Sequence, residues 1–142
     1  MRRIVTPRLL LPVLLSAAAL VGCGGEENRP AAWSYISPAI IQPNCATSSC
    51  HSKAAAVAGL DFSTADDGLK GLQKERLPPK DSMDTSRAEI PRQLILPGNP
   101  EESRLVNMLR ARGTWRMPPD RPLAEADIAL IESWILGGAG SK

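Results

Sequence analysis

The chain has 142 residues, with 17 Lys and Arg, 15 Asp and Glu, three cysteines and a single histidine, and that length is the size of one domain. One histidine excludes a multi-histidine zinc site and paired-histidine chemistry, and the near-neutral charge excludes the clustered basic face that nucleic acid requires. Proline is abundant, 13 of 142 against a usual share of about 5%, and aromatics are few, so a small loop-rich domain of this kind needs a disulfide, a metal or a cofactor to help complete its core.

Arg2-Arg3, an apolar stretch from Leu9 to Val21 broken by Pro12 and Ser16, and Gly22 before Cys23 have the layout of a secretory signal over residues 1–22. The stretch is too short and too broken for a membrane-spanning helix. Leu20-Val21-Gly22-Cys23 resembles the bacterial lipobox, which implies that the Cys23 thiol is lipidated and becomes the first residue. The alternative is an ordinary signal with an incidental cysteine. Residues 23–32 then form the lipidated cysteine and a flexible tether. Cutting after Gly22 removes Arg2, Arg3 and Arg8 and leaves 120 residues, with 14 basic and 15 acidic side chains and a net charge of −1. With Cys23 carrying lipid, Cys45 and Cys50 remain as a pair in an oxidising compartment.

The part that folds is expected over residues 33–142, and it reads as mostly α. Trp33, Ile36 and Ile40 lie at helical spacing, with Pro38 limiting regularity and Pro43-Asn44 ending the helix before Cys45. Ser52 to Ala58 is a loop of small residues, and Gly59 to Ser63 is a short extended piece and turn. Thr64 to Arg76 is a helix with Leu69 and Leu72 inward, capped by Thr64 with Asp67 three residues on. Leu77 to Gln93, with three prolines and many charges, is a surface loop. Asn99, Pro100, Glu101 and Glu102 supply a cap, a proline at the first helical position and first-turn acids, ahead of the stripe Leu105, Met108 and Leu109. Gly113 to Pro119 is a non-helical loop. The last helix runs from about Ala124 to Leu136, with Ile128, Ile131, Trp134 and Ile135 on one face and Gly137-Gly138 as its stop. No alternating strand pattern or internal repeat is present.

The chemistry-bearing string is Asn44-Cys45-Ala46-Thr47-Ser48-Ser49-Cys50-His51. Two thiols add across the two vinyl groups of a haem, and a histidine directly after the second thiol is then held under the iron. The usual spacing is C-x-x-C-H; the spacing here is C-x4-C-H, so two extra residues must loop outward, and Ala, Thr and two Ser are small enough to do so. Haem iron ligated by His is commonly completed by Met. Met108 reads as core and Met83 sits in a charged exposed loop, whereas Met117 lies in an extended, proline-stiffened loop suited to present a thioether. Other readings of the same residues are a local Cys45–Cys50 disulfide with His51 on the surface, a Cys–His nucleophile pair, and a zinc site that lacks a fourth ligand. Phe62, Trp115 and Trp134 fit either a haem box or an ordinary core. Arg112 and Arg116 fit either haem propionates or a solvated loop.

Taken in order, Ile40-Ile41-Gln42-Pro43-Asn44-Cys45 leading to Cys50-His51, Gly59-Leu60-Asp61-Phe62-Ser63, Leu96-Pro97-Gly98-Asn99-Pro100 with Ser103-Arg104-Leu105, Arg116-Met117-Pro118-Pro119, and Ile128 to Trp134-Ile135 with Gly137-Gly138-Ala139 resemble a single-haem class I cytochrome c. The likeness is to the planctomycete-type cytochrome c domains of exported bacterial proteins, and it spans about Trp33 to Gly140. The resemblance implies helices and long loops packed around one covalent haem c, with Cys45 and Cys50 as thioether positions, His51 as the proximal ligand and Met117 as the distal ligand. It departs from the family pattern in the four-residue gap between the cysteines.

The expected function is therefore a lipid-anchored carrier of single electrons. It would not be an enzyme, because His and Met together leave no open iron position; weak peroxidase-like reactivity would follow only if the sixth ligand were absent. Its expected place is the periplasm-facing cell envelope, with the outer membrane favoured over the inner. Its partners are redox proteins and, through the lipid, a membrane. The alternative is a haem-free cytochrome-fold interaction or structural domain closed by a Cys45–Cys50 disulfide.

Overall fold

The computed structural model describes residues 28–74 and 93–142. The expected signal, Cys23 and all of the predicted loop 77–93 except Gln93 lie outside the described residues. Among those described there are helices and turns and no strand, in keeping with a mostly α chain.

The first helix, α1, spans residues 33–45 and changes pitch twice: α-helical over Trp33–Ile36, π-helical over Ser37–Ile41, and α-helical again over Gln42–Cys45. Proline was expected to end it before Cys45, and it does not. Pro38 and Pro43 lack an N–H, and their rings crowd the carbonyls four residues back. The backbone answers by widening to the π spacing, with the Gln42 N–H donating to the Ser37 carbonyl, rather than by stopping. The Asn44 side-chain amide donates to the Ile40 carbonyl at 2.8 Å, adding a donor in this disturbed stretch.

Helix α2 is Ala65–Gln73. Thr64 caps it as expected: its Oγ1 accepts the Asp67 N–H at 3.1 Å and donates to the Asp67 carboxylate at 2.7 Å. Asp66 and Asp67 in the first turn and Lys70 in the last suit the helix dipole. Helix α3 is Arg104–Arg110, one turn later than Asn99 would have started it. Residues 100–102 form an isolated turn, with the Ser103 N–H donating to the Pro100 carbonyl at 3.1 Å. The fully buried Ser103 hydroxyl donates to the Asn99 carbonyl at 2.9 Å and accepts the Leu96 N–H at 2.8 Å. That tie pulls Ser103 into the cap position and interrupts a helix begun at Asn99. Helix α4 is Glu125–Leu136 and closes as predicted at Gly137-Gly138, with Gly138 at φ 99° and the Ala139 N–H returning to the Trp134 carbonyl at 3.0 Å.

Helix α1 packs on α2 and α4, and α3 packs on α4. The centre of this arrangement is the stacked pair Trp33 and Trp134, with ring centroids 4.9 Å apart. Each indole N–H finds a carbonyl at 2.8 Å, Ala65 for Trp33 and Gly140 for Trp134, which meets the polar requirement of a buried indole. Ile36, Ile41, Leu72, Ile131 and Ile135 are fully buried around the pair, and Cys45 at the end of α1 packs against the same core.

Candidate functional site

The four residues between the cysteines make a closed loop. The Ala46 N–H completes α1 by donating to the Gln42 carbonyl at 3.1 Å, and a turn follows in which the Cys50 N–H donates to the Thr47 carbonyl at 3.0 Å. The His51 N–H then returns to the Cys45 carbonyl at 3.0 Å. Thr47, Ser48 and Ser49 are exposed, so the extra residues do bulge outward while both cysteines stay beside His51. Each cysteine is a half-buried free thiol. Burial, with a smaller contribution from Cys50, pushes the Cys45 thiol up from 9.0 to about 11, so at neutral pH it is a protonated thiol.

His51 is held on three sides. Its carbonyl accepts the Phe62 N–H at 2.7 Å, its ring meets the Phe62 ring edge-on at 5.3 Å between centroids, and its Nδ1 lies 2.9 Å from the Val57 carbonyl. A carbonyl can only accept, so in the neutral imidazole the proton sits on Nδ1 and Nε2 carries the free lone pair. A histidine whose Nδ1–H is tied to a backbone carbonyl is oriented for ligation through Nε2. Residues 52–63 are braced across their base: the Lys53 N–H donates to Ser63 Oγ at 2.8 Å, and the Ser63 N–H donates to Asp61 Oδ1 at 2.8 Å. The Ser63 backbone N–H and hydroxyl hold the Asp61 carboxyl below the usual carboxylate range.

Met117 follows the 3-10 turn Gly113–Trp115, a departure from the wholly non-helical loop expected there. Its N–H donates to the Met108 carbonyl at 3.0 Å, which pins the loop to α3. The Arg116 guanidinium donates to the Pro118 and Pro119 carbonyls at 3.3 and 2.9 Å and so stabilises the loop that carries Met117. The backbone thus brings Cys45, Cys50 and His51 together, whereas no hydrogen bond joins Met117 to them. Phe62 belongs to the His51 environment and Trp134 to the core. Arg112 is exposed. The Val57 carbonyl escaped the sequence reading, since any residue supplies a carbonyl and only Gly59 hints at the turn that aims this one.

Four large apolar side chains are exposed among the described residues, and three of them stand on the two loops that carry the candidate ligands: Val57 at 49%, Trp115 at 51% and Met117 at 37%. Two free thiols, an imidazole presenting Nε2 and a thioether are donor types that a haem takes. No group of three or more His, Cys, Asp or Glu among the described residues is arranged to hold a bare metal ion. The chain matches no family model, no curated protein and no solved structure.

Proposed function

We propose that this chain is an exported, lipid-anchored, mono-haem c-type cytochrome that passes single electrons between redox proteins of the cell envelope. The observation that carries the reading is the Nδ1 contact of His51 with the Val57 carbonyl, made by a histidine that directly follows one of two adjacent free thiols. In this reading Cys45 and Cys50 would hold the group through thioether bonds, and His51 Nε2 and Met117 would ligate its iron. A bound haem would supply the one-electron couple; the chain would supply its thioether anchors and its iron ligands. Val57, Trp115 and Met117 would be covered by it, which accounts for apolar side chains left facing solvent. Lipidation at Cys23 would hold the domain at a periplasm-facing membrane surface.

The test is the absorption spectrum of the chain exported together with a cytochrome c maturation system. The wild type should be low-spin in both oxidation states. Met117→Ala should keep the haem but lose the low-spin spectrum and gain weak peroxidase activity, because the sixth position opens. An unchanged spectrum in Met117→Ala would remove Met117 from the ligand set. A Cys45–Cys50 disulfide with no haem mass, found in the presence of the maturation system, would replace this reading with the haem-free domain.

A further inference from the structure

The chain ahead of α1 does not leave the domain at Trp33. Arg29, four residues earlier, pairs its guanidinium with the Asp127 carboxylate on the first turn of α4, 98 residues away in sequence. The two side chains are only 21% and 23% exposed, so salt screens this pair less than it would an ion pair on an open surface. Asp127 also sits where the α4 dipole favours a carboxylate. The segment between the pair and α1 is stiff. Pro30 disfavours helical backbone at Arg29, and Ala32 is extended at φ −131°, ψ 140°. The Ala32 carbonyl accepts the Tyr35 and Ile36 N–H groups at 3.0 and 2.9 Å. Little conformational freedom is left to lose when Arg29 docks.

Docking at Arg29 shortens the reach from the lipid. Arg29 is six residues on from Cys23, a span of at most about 22 Å. Held only from Trp33, ten residues on from Cys23, the domain could stand off by up to about 36 Å. A domain of about 110 residues has a radius of gyration of about 13 Å and is therefore roughly 34 Å across. The shorter reach cannot carry it over onto its opposite face, whereas the longer one can. We propose that the Arg29–Asp127 pair is a strap that makes the first turn of α4 the membrane-facing surface of the domain and leaves the opposite side turned toward its redox partners. The membrane-facing part rests on the lipidation of Cys23 proposed above; the strap itself does not.

The test places the exported chain on nanodiscs of phosphatidylethanolamine and phosphatidylglycerol doped with a gadolinium-chelating lipid, with any haem kept in its diamagnetic ferrous state. Two NMR quantities are read: the heteronuclear NOE of the Arg29, Ala31 and Ala32 amides, and the broadening of every amide by gadolinium. In the wild type those three amides should be as rigid as helical ones. Broadening should be strongest at Glu125, Ala126 and Asp127 and fall away across the domain. Arg29→Glu should lower the three NOE values and level the broadening over the surface, and the charge swap Arg29→Glu with Asp127→Arg should restore both. Arg29→Gln should repeat the loss if Arg29→Glu fails to fold. Mobile amides in the wild type, or rigid ones unmoved by the charge reversal, overturn the strap. Rigid amides with level broadening in the wild type overturn the membrane-facing surface. A wild type exported without a lipid mass on Cys23 overturns the anchored reading, while rigid amides in that same protein leave the strap in place.

Discussion

Cys45 ends a helix whose inner face is isoleucine, and its thiol shares that apolar setting. The folded chain binds the thiol proton more tightly than the unfolded chain does, since burial and Cys50 raise Cys45 from 9.0 to about 11. That difference stabilises the haem-free fold fully below pH 9 and is lost as the pH climbs through about 11. The unfolding temperature of the haem-free chain should fall across this window, and Cys45→Ala should fall less; equal falls in the two proteins would detach Cys45 from alkaline stability. At this scale the sequence was legible where chemistry is local in the chain. His51 is covalently next to Cys50, and small residues at 46–49 permitted the outward loop that the structure contains. The partner of His51 was not legible, because the Val57 carbonyl acts through backbone direction and not through residue type.

Elements were legible where their signals are short-range. Thr64 and Asp67 mark the start of α2 within four residues, and Gly137-Gly138 mark the end of α4. Asn99 does accept the Glu102 N–H, at 3.3 Å, but the turn it caps is not continuous with α3, whose first position follows Ser103 with no side-chain cap; burial of the Ser103 hydroxyl against Leu96 and Asn99 is a tertiary choice that local pattern does not report. Likewise, the prolines of α1 predicted a stop, and the chain widened its pitch instead. Close helix packing at α2 is similarly specific. A Cβ on Gly68 would lie 3.1 Å from Phe62 Cδ1 and 3.2 Å from Trp33 Cζ2, whereas one on Gly71 would meet only the Leu60 Cδ2 methyl, at 3.1 Å. Both substitutions gain about 1 kcal/mol of helix propensity. The Trp33 ring is fixed by its stack on Trp134 and its bond to Ala65, so it cannot give way, while the end of a leucine can rotate. Gly68→Ala should therefore destabilise by about 1–2 kcal/mol net, and Gly71→Ala should be neutral or slightly stabilising, as read from urea midpoints. The reverse order would contradict the packing at this crossing.

Over the whole molecule, two kinds of contact tie the last helix to the rest, and they differ in weight. Trp134 is buried against Trp33, so Trp134→Ala should cost about 3–5 kcal/mol, a large share of a domain's usual stability of about 5–15 kcal/mol. Arg110 joins α3 to α4 through Glu132 at 2.6 and 2.9 Å and Glu125 at 2.7 Å, and these carboxylates raise its pKa. The cluster is open to solvent, so Arg110→Ala should change the unfolding midpoint little and less still in high salt. A larger loss from Arg110→Ala than from Trp134→Ala would reverse this ranking of core over surface. The mostly helical layout was legible from apolar spacing, whereas the contact of first helix with last was not, since nothing local in the chain pairs Trp33 with Trp134. That contact encloses a core against which Cys45 packs, and it is beside this core that we propose a covalent haem is carried. The most direct measurement is a denaturing gel of the mature chain, exported with a cytochrome c maturation system and stained for haem peroxidase activity. A stained band at the mass of the chain is expected, and it should disappear in Cys50→Ser. An unstained band from folded wild type, with its two thiols oxidised to a disulfide, would contradict it.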